Sequence, residues 1–217
     1  MKILSTKILA DYQRKPVVDA GFELIEKDFI ATKNRPFDLK KLNESLIFTS
    51  QNAVESILQH PDLEKLKVKK VYCVGLKTKS LLEENGFEVI AYTGYAADLA
   101  EIITLIYKTE KYTFFCGNKR RDTLPDALKQ AGIVFNEIEV YETTLTPHKI
   151  KDPVQAILFF SPSGVESYLK QNTIKKEFCF CIGTTTAQAL EKTTKNIIIA
   201  EEPTIEDVIE AVFGEYL

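Results

Sequence analysis

Histidine occurs only twice in the 217 residues and cysteine only four times, with no Cys-x-x-Cys pair. That leaves little room for a structural zinc site, whose ligands come from clustered Cys and His. Cys73, Cys116, Cys179 and Cys181 sit inside apolar, strand-like runs, where small buried thiols of a reducing compartment are expected. Long hydrophobic runs are missing as well. No segment approaches the ~18 apolar residues of a spanning helix. The opening MKILSTKILADYQRK is interrupted by Ser5, Thr6 and Lys7 before a signal core could form. A cytoplasmic protein without membrane attachment is the expectation. Charge of one sign is also lacking: 28 Lys and Arg against 31 Asp and Glu leave a net −3. This argues against a nucleic-acid coat or a polybasic membrane binder, but not against an anionic small molecule held by a few local donors.

Glycine signatures are absent too. The G-x-G-x-x-G fingerprint, the G-x-x-x-x-G-K-[ST] phosphate loop and the G-x-S-x-G nucleophile elbow do not occur. His60 precedes Pro61 at a helix end and His148 lies in a polar connection, neither with a Ser or Cys partner at a recognisable spacing. Both are expected on the surface rather than as catalytic bases. Any reaction here should need little acid–base power.

What is present is an alternation of short apolar runs with stretches of helical period. Strands are expected near 2–4, 23–26, 45–48, 70–74, 88–91, 113–116, 134–139, 155–160, 177–182 and 196–200. Helices are expected at 9–20, 53–59, 76–85, 97–107, 123–131, 164–170, 185–192 and 205–213. This alternation predicts βαβ units and parallel sheets covered on both faces. Ten strands are wide for one sheet of this length, so two five-stranded α/β domains fit better.

The chain also repeats itself. LIFTSQNAVESIL, from Leu46 to Leu58, aligns with ILFFSPSGVESYL, from Ile157 to Leu169, 111 residues on. Ala20-Gly21 recurs as Ala131-Gly132 at the same spacing, while Gly75 recurs as Gly183 and Asp98 as Asp207 at nearly the same one. The repeat leaves two organisations open. The copies form tandem domains split near Lys108–Lys111, or they interleave, with the first strand–helix–strand joining the C-terminal half. In the second case the polar, proline-containing segments 31–43 and 143–152 become crossings between domains.

Four loops that follow strands and open helices are rich in small polar residues. They are Thr49-Ser50-Gln51-Asn52, Ser161-Pro162-Ser163-Gly164, Gly183-Thr184-Thr185-Thr186 and Gly117-Asn118-Lys119-Arg120-Arg121. In open α/β sheets ligands bind at the carboxyl ends of the strands. The unpaired N–H groups of a helix start suit a carboxylate or phosphate. Plain capping explains any one loop. Four together, brought by the repeat symmetry to a cleft, point to a polyanionic ligand, with Lys119-Arg120-Arg121 as an anion clamp and Lys7 in the related place after the first strand.

FTSQNAVE, VGLKT, FCGNKRRDTLPDAL, VYETT, FFSPSGVESYL, IGTTTAQAL and PTIEDVIEAV, taken in order, resemble uroporphyrinogen-III synthase over essentially the whole chain. The resemblance implies two flavodoxin-like α/β domains with parallel sheets, joined by a two-stranded linker. The N-terminal segment would complete the C-terminal domain. The domains would be 1–30 plus 151–217 and 37–140, with linkers at 31–36 and 141–150 and the site in the cleft between them. It further implies a monomer without cofactor or metal that cyclises the octacarboxylate hydroxymethylbilane to uroporphyrinogen III, losing water and inverting ring D. Tyr141 in VYETT would donate a proton to the departing ring A hydroxyl. Thr49, Ser50, Gln51, Asn52, Ser161, Ser163, Gly164, Thr184, Thr185 and Thr186 would meet substrate carboxylates, with Asn118, Lys119 and Lys7 beside them. Where many bacterial members carry Thr-Arg-Pro after the first strand, this chain has Thr6-Lys7-Ile8, which keeps the charge but not the planar fork of Arg. Two rival classes stay in view: a non-catalytic two-domain module binding a polyanion, and a nucleotide-binding enzyme, weakened by the missing glycine fingerprints.

Overall fold

The computed structural model describes residues 1–217. In chain order the elements are β1 (Lys2–Ser5), α1 (Asp11–Asp19), β2 (Glu23–Glu26), β3 (Ile30–Asn34), β4 (Ser45–Phe48), α2 (Gln51–Leu58), α3 (Glu64–Lys67), β5 (Lys70–Val74), α4 (Leu76–Glu84) and β6 (Val89–Thr93). There follow α5 (Ala96–Ile106), β7 (Tyr112–Gly117), α6 (Thr123–Gln130), β8 (Phe135–Leu145), β9 (Ala156–Phe159), α7 (Pro162–Leu169), β10 (Phe178–Cys181), α8 (Thr184–Gln188), β11 (Ile197–Ile199) and α9 (Ile205–Tyr216). The chain forms two compact units. The first is Met1–Ala31 with Thr144–Leu217, and the second is Thr32–Thr143.

The first unit holds a parallel sheet of order β11-β10-β9-β1-β2. Numbered by their order along the unit, its strands read 2-1-3-4-5, the flavodoxin-like arrangement. The second unit holds parallel β6-β5-β4-β7-β8, with β3 outside β8. Its strands read 3-2-1-4-5, the other doubly wound order. The two layouts coincide when β9, β10 and β11 are laid on β4, β5 and β6, and β1 and β2 on β7 and β8. The second unit is thus a flavodoxin-like sheet entered at a different strand. Each unit takes one part from each copy of the sequence repeat. Ala20-Gly21 and Ala131-Gly132 close corresponding helices, with Gly21 at φ +82 and Gly132 at φ +69, where a side chain would be strained.

Both sheets are buried on both faces. All six residues of β7 and all four of β4 and β9 are buried. In the second unit Leu46, Phe48, Val71, Cys73 and Phe115 face the side of α2 and α4, while Ile47, Tyr72, Phe114 and Cys116 face α5 and α6. Burial pushes all four cysteine thiols up to about 12, so they remain protonated and inert, small apolar groups in the core.

One element lies outside the sequence expectation, and another was expected only from the resemblance, as a strand of the two-stranded linker. The single turn α3 is too short to show a period. β3, with sequence IATKN, and the end of β8 fall in the stretches expected as connections at 31–36 and 141–150. They run antiparallel: the N–H of Arg35 donates to Val140 (2.9 Å) and that of Thr146 to Phe29 (2.9 Å). β3 is mostly exposed, so backbone pairing rather than an apolar face makes it a strand.

At the amino ends of the strands of the second unit, Glu110 accepts hydrogen bonds from Lys70 (2.7 Å), Tyr72 (2.9 Å) and Ser45. Burial works against its charge, but the hydrogen bonds from Lys70, Ser45 and Tyr72 outweigh this and hold its pKa below the usual carboxylate value. A depressed native pKa stabilises the fold above the unfolded value and loses that contribution as pH falls. Glu110→Gln is therefore expected to be less stable than wild type at pH 7, with the gap closing as pH drops below about 4.3. Urea melts at both pH values check it, and a gap independent of pH would refute it.

Candidate functional site

In each unit the carboxyl ends of the central strands lead into helix starts. After β4, Ser50 is the extended N-cap of α2, and its hydroxyl accepts the N–H of Asn52 (3.2 Å). After β9, Ser161 caps α7 in the same manner, accepting the N–H of Gly164 (3.0 Å), and Pro162 opens the helix without an N–H to satisfy. These are the aligned serines of the repeat. Capping leaves other donors open: the N–H groups of Gln51, Ser163, Thr184 and Thr185 have no protein acceptor. Gln51 and Thr184 are exposed, while Thr49, Asn52, Ser163 and Thr185 are half-buried. Gly164 and Thr186 are buried, with their N–H groups bound inside the turn, so they shape their loops rather than line them.

The loops after β7 and β1 differ from expectation. Asn118 is exposed, but its amide is already engaged within the protein. Its Oδ1 accepts the N–H of Thr143 (2.8 Å) and its Nδ2 donates to the Thr143 carbonyl (3.4 Å), extending the β7–β8 ladder with a side chain. Arg120 is held by Glu137 (2.9 Å) and by Asp122, so the basic run is not a three-residue clamp. Lys119 and Arg121 are exposed. Lys7 is exposed at the end of β1, but the protein's own carboxylates take the donors beside it. The N–H of Ile8 goes to Asp28 (2.9 Å) and that of Leu9 to Glu26 (2.7 Å), which Arg14 braces (2.7 Å). A ligand carboxylate there would meet the Lys7 ammonium alone.

Both histidines are partly exposed, and each holds a backbone group. His148 Nε2 pairs with the Asp28 carbonyl (3.0 Å), edge-on to Phe29, and His60 Nδ1 accepts the N–H of Asp62 (3.1 Å) beside Phe37. His60 thereby closes a turn, while His148 ties together two segments 120 residues apart, and neither pairs with a Ser or Cys.

Tyr141 lies on β8 opposite Gly117, next to the start of α2. Its ring covers Gly117 so closely that a Cβ there would stand 2.5 Å from Cε2 and Cζ. Burial raises the phenol pKa, and the neighbouring Ser50 side chain offsets part of that rise. The hydroxyl is therefore neutral at pH 7 and can donate a proton. Gly117 and Thr6 were not among the expected site residues. Gly117 carried a readable signal, a glycine at the end of six consecutive buried strand positions. Thr6 is 4% exposed and bound to the Leu158 carbonyl (2.7 Å). No helix of the chain is long and apolar enough to cross a membrane.

A family model described as uroporphyrinogen-III synthase HemD matches residues 10–210. The uroporphyrinogen-III synthetase of Helicobacter pylori shares the fold at a TM-score of 0.74, with 22% identity over 99% of each chain. A mutant uroporphyrinogen III synthase of Thermus thermophilus matches at 0.68, with 15% identity over 99% of this chain and 98% of that one. The wild-type Thermus enzyme in another crystal form matches at 0.56, with 16% identity over the whole of both. At such identities the structural likeness is one of fold, and the sequence match carries the assignment. Spanning all but the two ends of the chain, that match places it in the uroporphyrinogen-III synthase family.

Proposed function

We propose that this protein cyclises hydroxymethylbilane with inversion of ring D, giving uroporphyrinogen III, and that it does so as a cytoplasmic monomer. The family match over residues 10–210 carries the reading, and the family is one of lyases acting on this bilane in tetrapyrrole biosynthesis. The chemistry of the loops supports it. The substrate bears eight carboxylates and is linear. The open N–H groups of Gln51, Ser163, Thr184 and Thr185 are partial positive charges fixed in place, which suits carboxylates without the rigidity of an ion pair. Lys7 in the first unit and Lys119 and Arg121 in the second add exposed positive charge after their strands.

Two steps need help from the protein. Departure of the ring A hydroxyl as water requires a proton, and we assign its donation to the neutral Tyr141 phenol. Closure through the substituted carbon of ring D requires a bilane conformation that the free molecule rarely reaches. Holding the carboxylates at fixed donors supplies that, so positioning accounts for most of the catalysis. The test is cyclisation of synthetic hydroxymethylbilane by the purified protein, followed by separation of isomers. The type III isomer should dominate. Type I alone, the product of spontaneous closure, would reject the proposal and leave a binding module as the reading.

A further inference from the structure

We infer that β8 carries a built-in bulge at Val140 whose purpose is to aim Tyr141, and that Gly117 and Asn118 are the positioning residues that lock it. The inference rests on the reading of Tyr141 as the group that meets substrate. In a regular strand side chains alternate faces. Ile138 and Val140 lie on the face of the sheet covered by α2 and α4, and Phe135 lies on the face of α5 and α6. Simple alternation would put Tyr141 with Phe135. Instead Tyr141 packs with Ile138 and Val140, on the side of Ser50. The cause is visible in the pairing: Cys116 is opposite Glu139, but Gly117 is opposite Tyr141, so Val140 is an extra residue in β8. A bulge of this sort re-aims the side chain that follows it.

Two neighbours keep it in place. Gly117 is required for space, because its φ is not in the left-handed region and only the ring of Tyr141 forbids a Cβ. At the repeat spacing its counterpart in the first unit is Thr6, a full side chain where no tyrosine needs the room. Asn118 clasps both backbone groups of Thr143, two residues beyond Tyr141, and its own N–H donates to the Tyr141 carbonyl (3.3 Å). The strand is thus pinned at the tyrosine and two residues beyond it.

The experiment has an arm without substrate. The ultraviolet titration of Tyr141, isolated as wild type minus Tyr141→Phe, should move toward the ordinary phenol value in Gly117→Ala, because the ring is pushed into solvent. In the isomer assay Gly117→Ala should lower kcat about tenfold or more with KM little changed, since misplacement by an ångström suffices for that. Adding Gly117→Ala to Tyr141→Phe should cost nothing more. Asn118→Asp, which keeps the acceptor for Thr143, should retain most of the rate that Asn118→Leu loses, and this pair decides the matter if Gly117→Ala does not fold. An unshifted titration, or losses that multiply in the double variant, would overturn the inference. Should the wild type make no type III isomer, the functional reading falls, yet the titration still tells whether Gly117 and Asn118 place the ring.

Discussion

Tyr141→Phe is expected to form uroporphyrinogen III about 10- to 100-fold more slowly than wild type, at the modest end of what a positioned general acid contributes. The hydroxyl leaving ring A is already activated by its pyrrole, which keeps the effect below that of acids in harder eliminations. The variant removes one oxygen. Phenylalanine fills the same space over Gly117, and the donors of α2, α7 and α8 are untouched, so KM and thermal stability should hold while kcat falls. The pH dependence has a definite sign. As a proton donor Tyr141 would work only while protonated, and burial raises its pKa, so its contribution should be flat through neutrality and be lost only above the ordinary phenol value of ~10. Stopped assays at several pH values check both statements. Equal rates for the two proteins would remove Tyr141 from the reaction.

Phe115→Ala should destabilise the second unit by about 3–5 kcal/mol, the usual cost of deleting a core aromatic. Phe115 is fully buried in the middle of β7. Its ring stacks on Phe48 at 5.2 Å and 12° and meets Phe37 edge-on at 6.3 Å. Phe48 is held directly opposite on the adjacent strand β4, so the void has little freedom to collapse. Urea denaturation followed by tyrosine fluorescence measures the loss. Val68→Ala is the control: Val68 is 83% exposed, and its replacement should stay within about 0.5 kcal/mol. A shift for Phe115→Ala as small as that of the control would mean that the β7 core is not packed as described.

The sheet strands were legible because they are buried on both faces and read as unbroken apolar runs. Ser45–Phe48 and Lys70–Val74 are where hydrophobicity puts them. β3 and the second half of β8 were legible only through the resemblance, which implied a two-stranded linker there, since IATKN and YETTL carry no one-sided apolar pattern and owe their shape to pairing. The capping serines, Ser50 and Ser161, could be found from the repeat. The roles of Asn118 and Arg120 could not, because both depend on residues 17–25 positions away, Thr143 and Glu137. A donor next to a helix start looks the same in sequence whether it is open or occupied. Lys7 shows the reverse limit: the lysine was visible, but nothing local shows that Asp28 and Glu26 take the N–H groups around it.

The interleaving of the repeat also sets a timetable for synthesis. The second unit is one continuous stretch, Thr32–Thr143, and its sheet strands are complete once residues up to Leu145 have left the ribosome. The first unit must wait: β1 lies between β2 and β9, and its partner Ala156 is made some 150 residues after Ile3. At ~5–20 residues per second that interval lasts roughly 8–30 s. During it the apolar β1 edge has no neighbour on one side, while the middle of the chain folds ahead of its beginning.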